Sequence, residues 1–283
     1  MNTILVACLG LIGLSVVAPA RTFLASPIRP YAFKLSLFET PGLGSTGLLM
    51  KVRVDGGPPL RLILDSGAEH LTLNRKAAAR SGHTGGSPVI FMGAKGSLGA
   101  AFRTEAAIVQ IEDLTFRDCA LVIAERKLMD GIDGAIPLSL FSSFLIHLDV
   151  PGRSLSLEPF DSASPASTAD FVQAIPQNHL LFLETQLRNG YTGYVLLDTG
   201  AAVNVISKDA AAELHHSHRF TEVVALRLGM HALALDPFVE MDLSEMSRRH
   251  QLTLCGILGY PGLSGSVITV DYRDARVRIS SAR

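Results

Sequence analysis

Two apolar runs in this 283-residue chain end in the same way: Leu62-Ile63-Leu64-Asp65-Ser66-Gly67-Ala68 and Val195-Leu196-Leu197-Asp198-Thr199-Gly200-Ala201. A short continuous apolar run bounded by a turn residue reads as a fully buried strand. Each of these strands delivers one carboxylate to its end, and a Gly turn follows. The likeness extends beyond the motif. With Asp65 laid over Asp198, residues 48 to 79 align without a gap on 181 to 212, bringing Ala77-Ala78-Ala79 over Ala210-Ala211-Ala212. A second gapless block lays Asp133-Gly134-Ala135-Ile136 through Asp149 over Cys255-Gly256-Ile257-Leu258 through Asp271. An internal repeat of this length makes the chain two copies of one unit.

Each copy closes in alternation, Arg153-Ser154-Leu155-Ser156-Leu157 and Arg276-Val277-Arg278-Ile279, which is the period of a half-buried strand. Asn74 and Ser207 stand at equivalent places before the alanine-rich segments and read as helix N-caps. The expectation is a mainly β protein with short helices: an N-terminal lobe over 31–160, a linker over 161–170 and a C-terminal lobe over 171–283. The linker segment, Asp161 to Asp170, is small, polar and interrupted by Pro165.

The amino terminus reads as an export segment. Ile4 to Val17 is apolar and uncharged, and Ala18-Pro19-Ala20 has the small residues that signal peptidase prefers. Residues 1–20 are therefore expected to be a cleaved signal or, since a positive n-region is missing, an uncleaved membrane tether through 4–20. Either reading places the protein in the periplasm or outside the cell. Beyond that segment the thiols are Cys119 and Cys255, too few for a disulfide framework and read as two lone buried cysteines. A formal net charge of -1 gives no electrostatic support for a nucleic-acid partner.

Other motifs point away from cofactors. His215, His216 and His218 cluster after the second alanine-rich segment without Cys or carboxylate at zinc-ligand spacing, so no metal site is expected. The glycine-rich run Gly93 to Gly99 lacks the Lys-Ser/Thr ending of a phosphate loop. Sugar kinases and actin-like ATPases also carry two Asp-x-Gly turns, but their units are larger and alternate strands with long helices.

These residues resemble the aspartic proteases: a pepsin-like bilobal molecule built from two retropepsin-like β-barrel units. In that family each unit supplies two or three apolar residues, Asp-Thr/Ser-Gly, and later an Asp-Gly followed by two apolar residues and Gly. Here the later element reads Asp133-Gly134-Ala135-Ile136-Pro137 in one half and Cys255-Gly256-Ile257-Leu258-Gly259 in the other. The resemblance implies an aspartic endopeptidase with Asp65 and Asp198 as the catalytic dyad. Ser66 and Thr199 would hydrogen-bond across the pseudo-twofold axis, and Gly67 and Gly200 would let backbone pass close to the carboxylates.

It also implies a peptide or protein substrate, no cofactor, no metal, and a monomer, because one chain brings both halves of the dyad. Phe91 to Gly99 is the flap candidate, with Met92, Gly93, Ala94, Lys95 and Gly96 over the substrate; a plain surface hairpin is the alternative for this segment. Glu69, just past the first motif, resembles the acid that follows it in retroviral members and touches substrate backbone there; the reading preferred for it is a solvated surface residue. Pro137 stands where the family has Gly, which removes a backbone donor behind Asp65. The rival reading is an inactive, ligand-binding relative.

Overall fold

In the computed structural model the described residues are 22–94, 96–125, 128, 130–160, 170–187, 190–216, 225–228, 231–234 and 238–282. The export segment, residues 161–169 of the linker, Lys95 and His218 lie outside them. Among the described residues no helix is long and apolar enough to cross a membrane.

The strand Leu60–Asp65 is central, parallel to Gly134–Pro137 and antiparallel to Gly44–Val54, and both its faces are covered: Leu62 and Leu64 pack in the main core and Ile63 in a separate cluster with Phe38 and Leu49. A strand enclosed in this way has no solvent face, so its sequence does not alternate. Each such side chain contributes about 1.5–3 kcal/mol by leaving water. Gly134–Pro137 runs on to pair antiparallel with Leu71–Asn74, which lies parallel to Leu114–Ala124. The second half repeats the arrangement. Thr192–Leu197 is parallel to Leu254–Leu258, which pairs antiparallel with Asn204–Ser207, itself parallel to Phe238–Met241.

Both short helices start where the sequence places their caps. The side chain of Asn74 accepts a hydrogen bond from Ala77 N at 2.8 Å and that of Ser207 one from Ala210 N at 3.1 Å, opening Arg75–Arg80 and Lys208–His216.

The halves are joined by one antiparallel sheet. Tyr31–Lys34, Ser154–Pro159 and Phe144–Asp149 come from the first half, and Ser266–Asp271, Arg276–Ser281 and Val172–Gln177 from the second. The join is Phe144–Asp149 against Ser266–Asp271, with Ile146 opposite Val270. The closing strands alternate as their sequence implies, burying Leu155, Leu157, Val277 and Ile279. Ahead of residue 31, Phe23–Leu24 adds a further strand, pairing with Leu114–Ala124 of the first half.

Cys119 and Cys255 are free and buried, one in each half. Burial pushes both thiols up to about 12, so neither is a nucleophile at neutral pH.

Candidate active site

The two Asp-containing turns meet where the halves face each other. Asp65 closes its strand in register with Pro137, and Asp198 follows Leu197 with its N–H donating to Leu258 O at 3.0 Å. Four hydrogen bonds tie one turn to the other. Ser66 Oγ donates to Leu197 O at 2.8 Å and accepts from Thr199 N at 3.0 Å. Thr199 Oγ1 donates to Leu64 O at 2.8 Å and accepts from Ser66 N at 3.0 Å. All four are buried, so each hydroxyl satisfies two backbone groups of the other half that water does not reach.

That lattice presses the carboxylates together. Asp65 is 1% and Asp198 0% exposed, and Asp65 hydrogen-bonds Asp198. Each also accepts from the glycine two residues on, Gly67 N to Asp65 Oδ1 at 2.8 Å and Gly200 N to Asp198 Oδ1 at 3.0 Å. The glycines are required by a crossed contact. A Cβ on Gly67 would run into the Asp198 carboxylate, and one on Gly200 into that of Asp65. Any larger residue at either place would drive the pair apart.

Burial pushes the Asp198 carboxyl up to about 6, against the hydrogen bonds from Asp65 and from the N–H groups of Gly200 and Ala201, which favour its ionised form. Two carboxyls this close and this dry hold one proton between them more readily than two negative charges. Asp198 Oδ2 accepts from no N–H or O–H donor among the described residues, which leaves it for that shared proton or a substrate group. Tyr272, which the sequence reading missed, is pushed up by burial and then by Asp65, and its hydroxyl has no hydrogen-bond partner among the described residues. It lies far along the chain from either motif, so nothing local marks it.

The flap candidate is the end of a long hairpin, Ser87–Gly93 against Gly96–Ile111. Its tip reaches the other half. Ala94 is 2% exposed and joins the apolar cluster of Ala201, Leu243 and Met246, while Gly96, at φ +100°, lies so close to Glu245 that a Cβ there would strike its carboxylate. Met92 is half-buried and Gly93 buried at the same tip. Glu245 lies in the first turn of the helix Ser244–His250 and also holds Arg249 Nη2 at 3.3 Å. The hairpin therefore spans from one half to the other beside the second aspartate's turn.

Glu69 corrects the sequence reading: it is buried, 5% exposed, not solvated. Burial pushes its carboxyl up to about 8, against a hydrogen bond with Asn178 and the charge of Arg249, both from the second half. A turn beside one aspartate, roofed by the opposite half, removes the solvent that a local reading assumes.

Pro137 leaves no unpaired acceptor in its counterpart's role. In the second half Asn204 Oδ1 accepts from Gly259 N at 3.0 Å and Gly262 N at 3.2 Å. The repeat places Leu71 at the position of Asn204 and Pro137 at that of Gly259, so the donor and its acceptor are absent together. Among the described residues no group of three or more His, Cys, Asp or Glu is placed to hold a metal ion.

Residues 50–139 match the family model described as aspartyl protease, a span that includes Asp65, the flap candidate and Pro137. Among solved structures the chain is similar to the aspartic proteinase from Irpex lacteus, at 14% identity over 89% of this chain and 97% of that one, with a TM-score of 0.60. No curated protein sequence matches. At this identity the structural likeness speaks for the fold, which is the mainly β, bilobal pepsin-like one. The match over residues 50–139 and the pepsin-like fold together support a relationship to the aspartic proteases and a hydrolytic, protease-type function.

Proposed function

We propose that the protein is an exported aspartic endopeptidase that hydrolyses peptide bonds with Asp65 and Asp198. The observation that carries the reading is the crossed packing of two buried carboxyls, each against the other's glycine, with burial raising Asp198. With one proton between them, one carboxylate acts as general base and takes a proton from water while the other, protonated, donates to the carbonyl oxygen. The resulting tetrahedral diol collapses as a proton passes to the amide nitrogen, the C–N bond breaks, and the pair returns to its one-proton state. Ser66 and Thr199 act as positioning residues through the backbone they hold. The hairpin tip, with Met92, Gly93, Ala94 and Gly96, covers the bound peptide and excludes water. One chain supplies both aspartates, so a monomer is competent.

The test is cleavage of a diverse peptide library by the chain from residue 21 onward, across acid to neutral pH, with Asp65→Asn and Asp198→Asn in parallel. Both variants should fold and neither should cleave. Cleavage surviving either substitution would refute the dyad, and a folded wild-type protein that cleaves nothing would favour a ligand-binding relative.

A further inference from the structure

The outward face of the first half carries cations that the fold does not pair with carboxylates. In the strand Gly44–Val54, Lys51 and Arg53 alternate with buried Val52 and Val54, so both reach solvent on the same side. Arg61 of the adjoining strand stands opposite Lys51 in the antiparallel register and is exposed as well. Like charges placed directly across a sheet destabilise it. Lys34 adds a further cation, because a surface groove of about 440 Å3 is lined by Lys34, Lys51 and Arg53, together with Ser36, Gln110 and Glu112.

Among the described residues none of these cations has a carboxylate partner. Arg53 Nη1 donates to a neutral acceptor, Gly57 O, at 2.9 Å. Acids close by in the chain are taken by other groups: Asp55 by His83 Nε2 at 2.6 Å and Ile108 N at 2.7 Å, Asp113 by Arg29, and Asp133 by Arg80 and the backbone N–H of Arg61. The whole chain has a formal net charge of -1, so this surplus is local and marks a surface whose complement is an anionic partner.

The course of the chain says which partner. Residues 23–29 run along the strand Leu114–Ala124. Phe23 pairs with Arg117 and Leu24 with Phe116, and Ala25 N donates to Thr115 O at 2.9 Å. Ser26 Oγ donates to Asp113 O at 3.0 Å and accepts from Thr115 N at 2.8 Å, and Arg29 pairs with Asp113. The segment thus ends beside Glu112, on the wall of the groove, and leads into the strand Tyr31–Lys34, whose last residue lines the same groove. Along it Phe23 is 55% and Ile28 66% exposed, large apolar side chains that the fold leaves in water. Ahead of it the sequence carries the uncharged apolar run Ile4 to Val17. An apolar run, exposed apolar side chains and unpaired cations, met in succession, fit a bilayer: hydrocarbon and interface for the first two, headgroup phosphates for the third. A soluble polyanion would account for the cations alone.

We propose that this face of the first half docks on an anionic lipid bilayer, with Lys34, Lys51, Arg53 and Arg61 meeting the headgroup phosphates. The proposal rests on the apolar run as the segment that brings the chain to a membrane, and not on the cleavage chemistry. Arg61 stands near the start of the strand Leu60–Asp65, roughly 13 Å from its aspartate at about 3.3 Å per residue. Docking therefore engages the far end of the strand that carries Asp65 and leaves the two aspartate turns free.

The described fold begins at residue 22, so the chain from residue 21 carries all of it and isolates the face from the apolar run. Its co-sedimentation is measured with vesicles of phosphatidylcholine and of phosphatidylcholine mixed with phosphatidylglycerol. It should bind the anionic vesicles alone, and less as salt is raised. Lys34→Gln combined with Lys51→Gln should weaken binding about 25-fold, at about fivefold for each basic residue near the surface. Lys76→Gln combined with Lys208→Gln removes the same charge from exposed positions elsewhere and should weaken it less than about twofold. Melting curves show that both double variants fold. In the full chain carried on the same vesicles, Lys34 and Lys51 should be protected from amine acylation relative to Lys76 when the lipid is anionic.

No binding to anionic vesicles, an equal loss in the two double variants, or equal acylation of the three lysines overturns the proposal. Binding to soluble polyphosphate without binding to vesicles also overturns it, and assigns the cations to a soluble polyanion. Peptide cleavage by the same preparation reports on Asp65 and Asp198 separately, so a failure of docking is distinguishable from a failure of the endopeptidase reading.

Discussion

Thr199 Oγ1 gives the sharpest test of how the dyad is held. It donates to Leu64 O and accepts from Ser66 N, so Thr199→Val deletes two cross-lobe hydrogen bonds while keeping the side-chain shape. Thr199 is 4% exposed, and neither bond is open to replacement by bulk water. A buried polar group left unpaired costs about 1–3 kcal/mol, which puts the two together at about 2–6 kcal/mol. That is a large part of the 5–15 kcal/mol or so that stabilises a typical native protein. Thr199→Ser is the control: it keeps the hydroxyl and deletes one buried methyl, a loss of about 0.5–1.5 kcal/mol by analogy with Ile→Val. Urea unfolding of the three proteins measures the gap. If Thr199→Val lies within about 1 kcal/mol of Thr199→Ser, the hydroxyl is not what joins the lobes and the positioning argument fails.

Three other perturbations bear on neighbouring parts of the site. The folded Glu69 carboxyl sits at about 8 instead of the usual 4.5, so between those pH values the folded state holds a proton the unfolded chain has released, and Glu69 destabilises the fold increasingly as pH rises. Unfolding of Glu69→Gln beside wild type should show the variant gaining from about pH 4.5 to about pH 8, and a gap that does not change with pH would contradict the burial argument. Ala94→Lys places a charge in the apolar cluster with Leu243 and Met246; hydrogen exchange should quicken in both the 91–99 hairpin and the 244–250 helix, and unchanged exchange in the helix would mean the tip does not dock there. Asn204→Leu removes the acceptor of Gly259 N and Gly262 N, with an expected loss of about 2–6 kcal/mol in denaturant unfolding; a loss under about 1 kcal/mol would show those donors are otherwise satisfied.

The last of these perturbations also shows what a single sequence does and does not reveal about this site. The dyad, its hydroxyls and its glycines are legible because their partners are their own repeats: Ser66 bonds Thr199, and Gly67 touches Asp198. Finding the repeat is enough to pair them, and the buried strands and helix caps follow from local pattern. Glu69 is misread because it is buried where Asn178 and Arg249 of the other half reach it, residues with no counterpart in any local motif.

Pro137 is the instructive middle case. Taken alone it is a departure that takes a donor from the loop behind Asp65, and it argues for a damaged half. Set beside Leu71, it is one side of a matched exchange, because the second half's Gly259 donates to an Asn204 whose counterpart in the first half has no acceptor to offer. An N–H that is missing costs nothing where the oxygen that would have received it is missing too. The two halves thus solve the same junction differently, by an amide side chain capping two N–H groups in one and by apolar packing of Leu71 in the other. Pro137 is therefore evidence of divergence between the copies and no evidence of a disabled dyad. If that is right, Pro137→Gly should gain nothing in catalysis on its own, since the new N–H would face Leu71. Paired with Leu71→Asn it should restore the bond seen in the second half. A marked rise in peptide cleavage from Pro137→Gly alone would show instead that the proline itself restrains the loop behind Asp65.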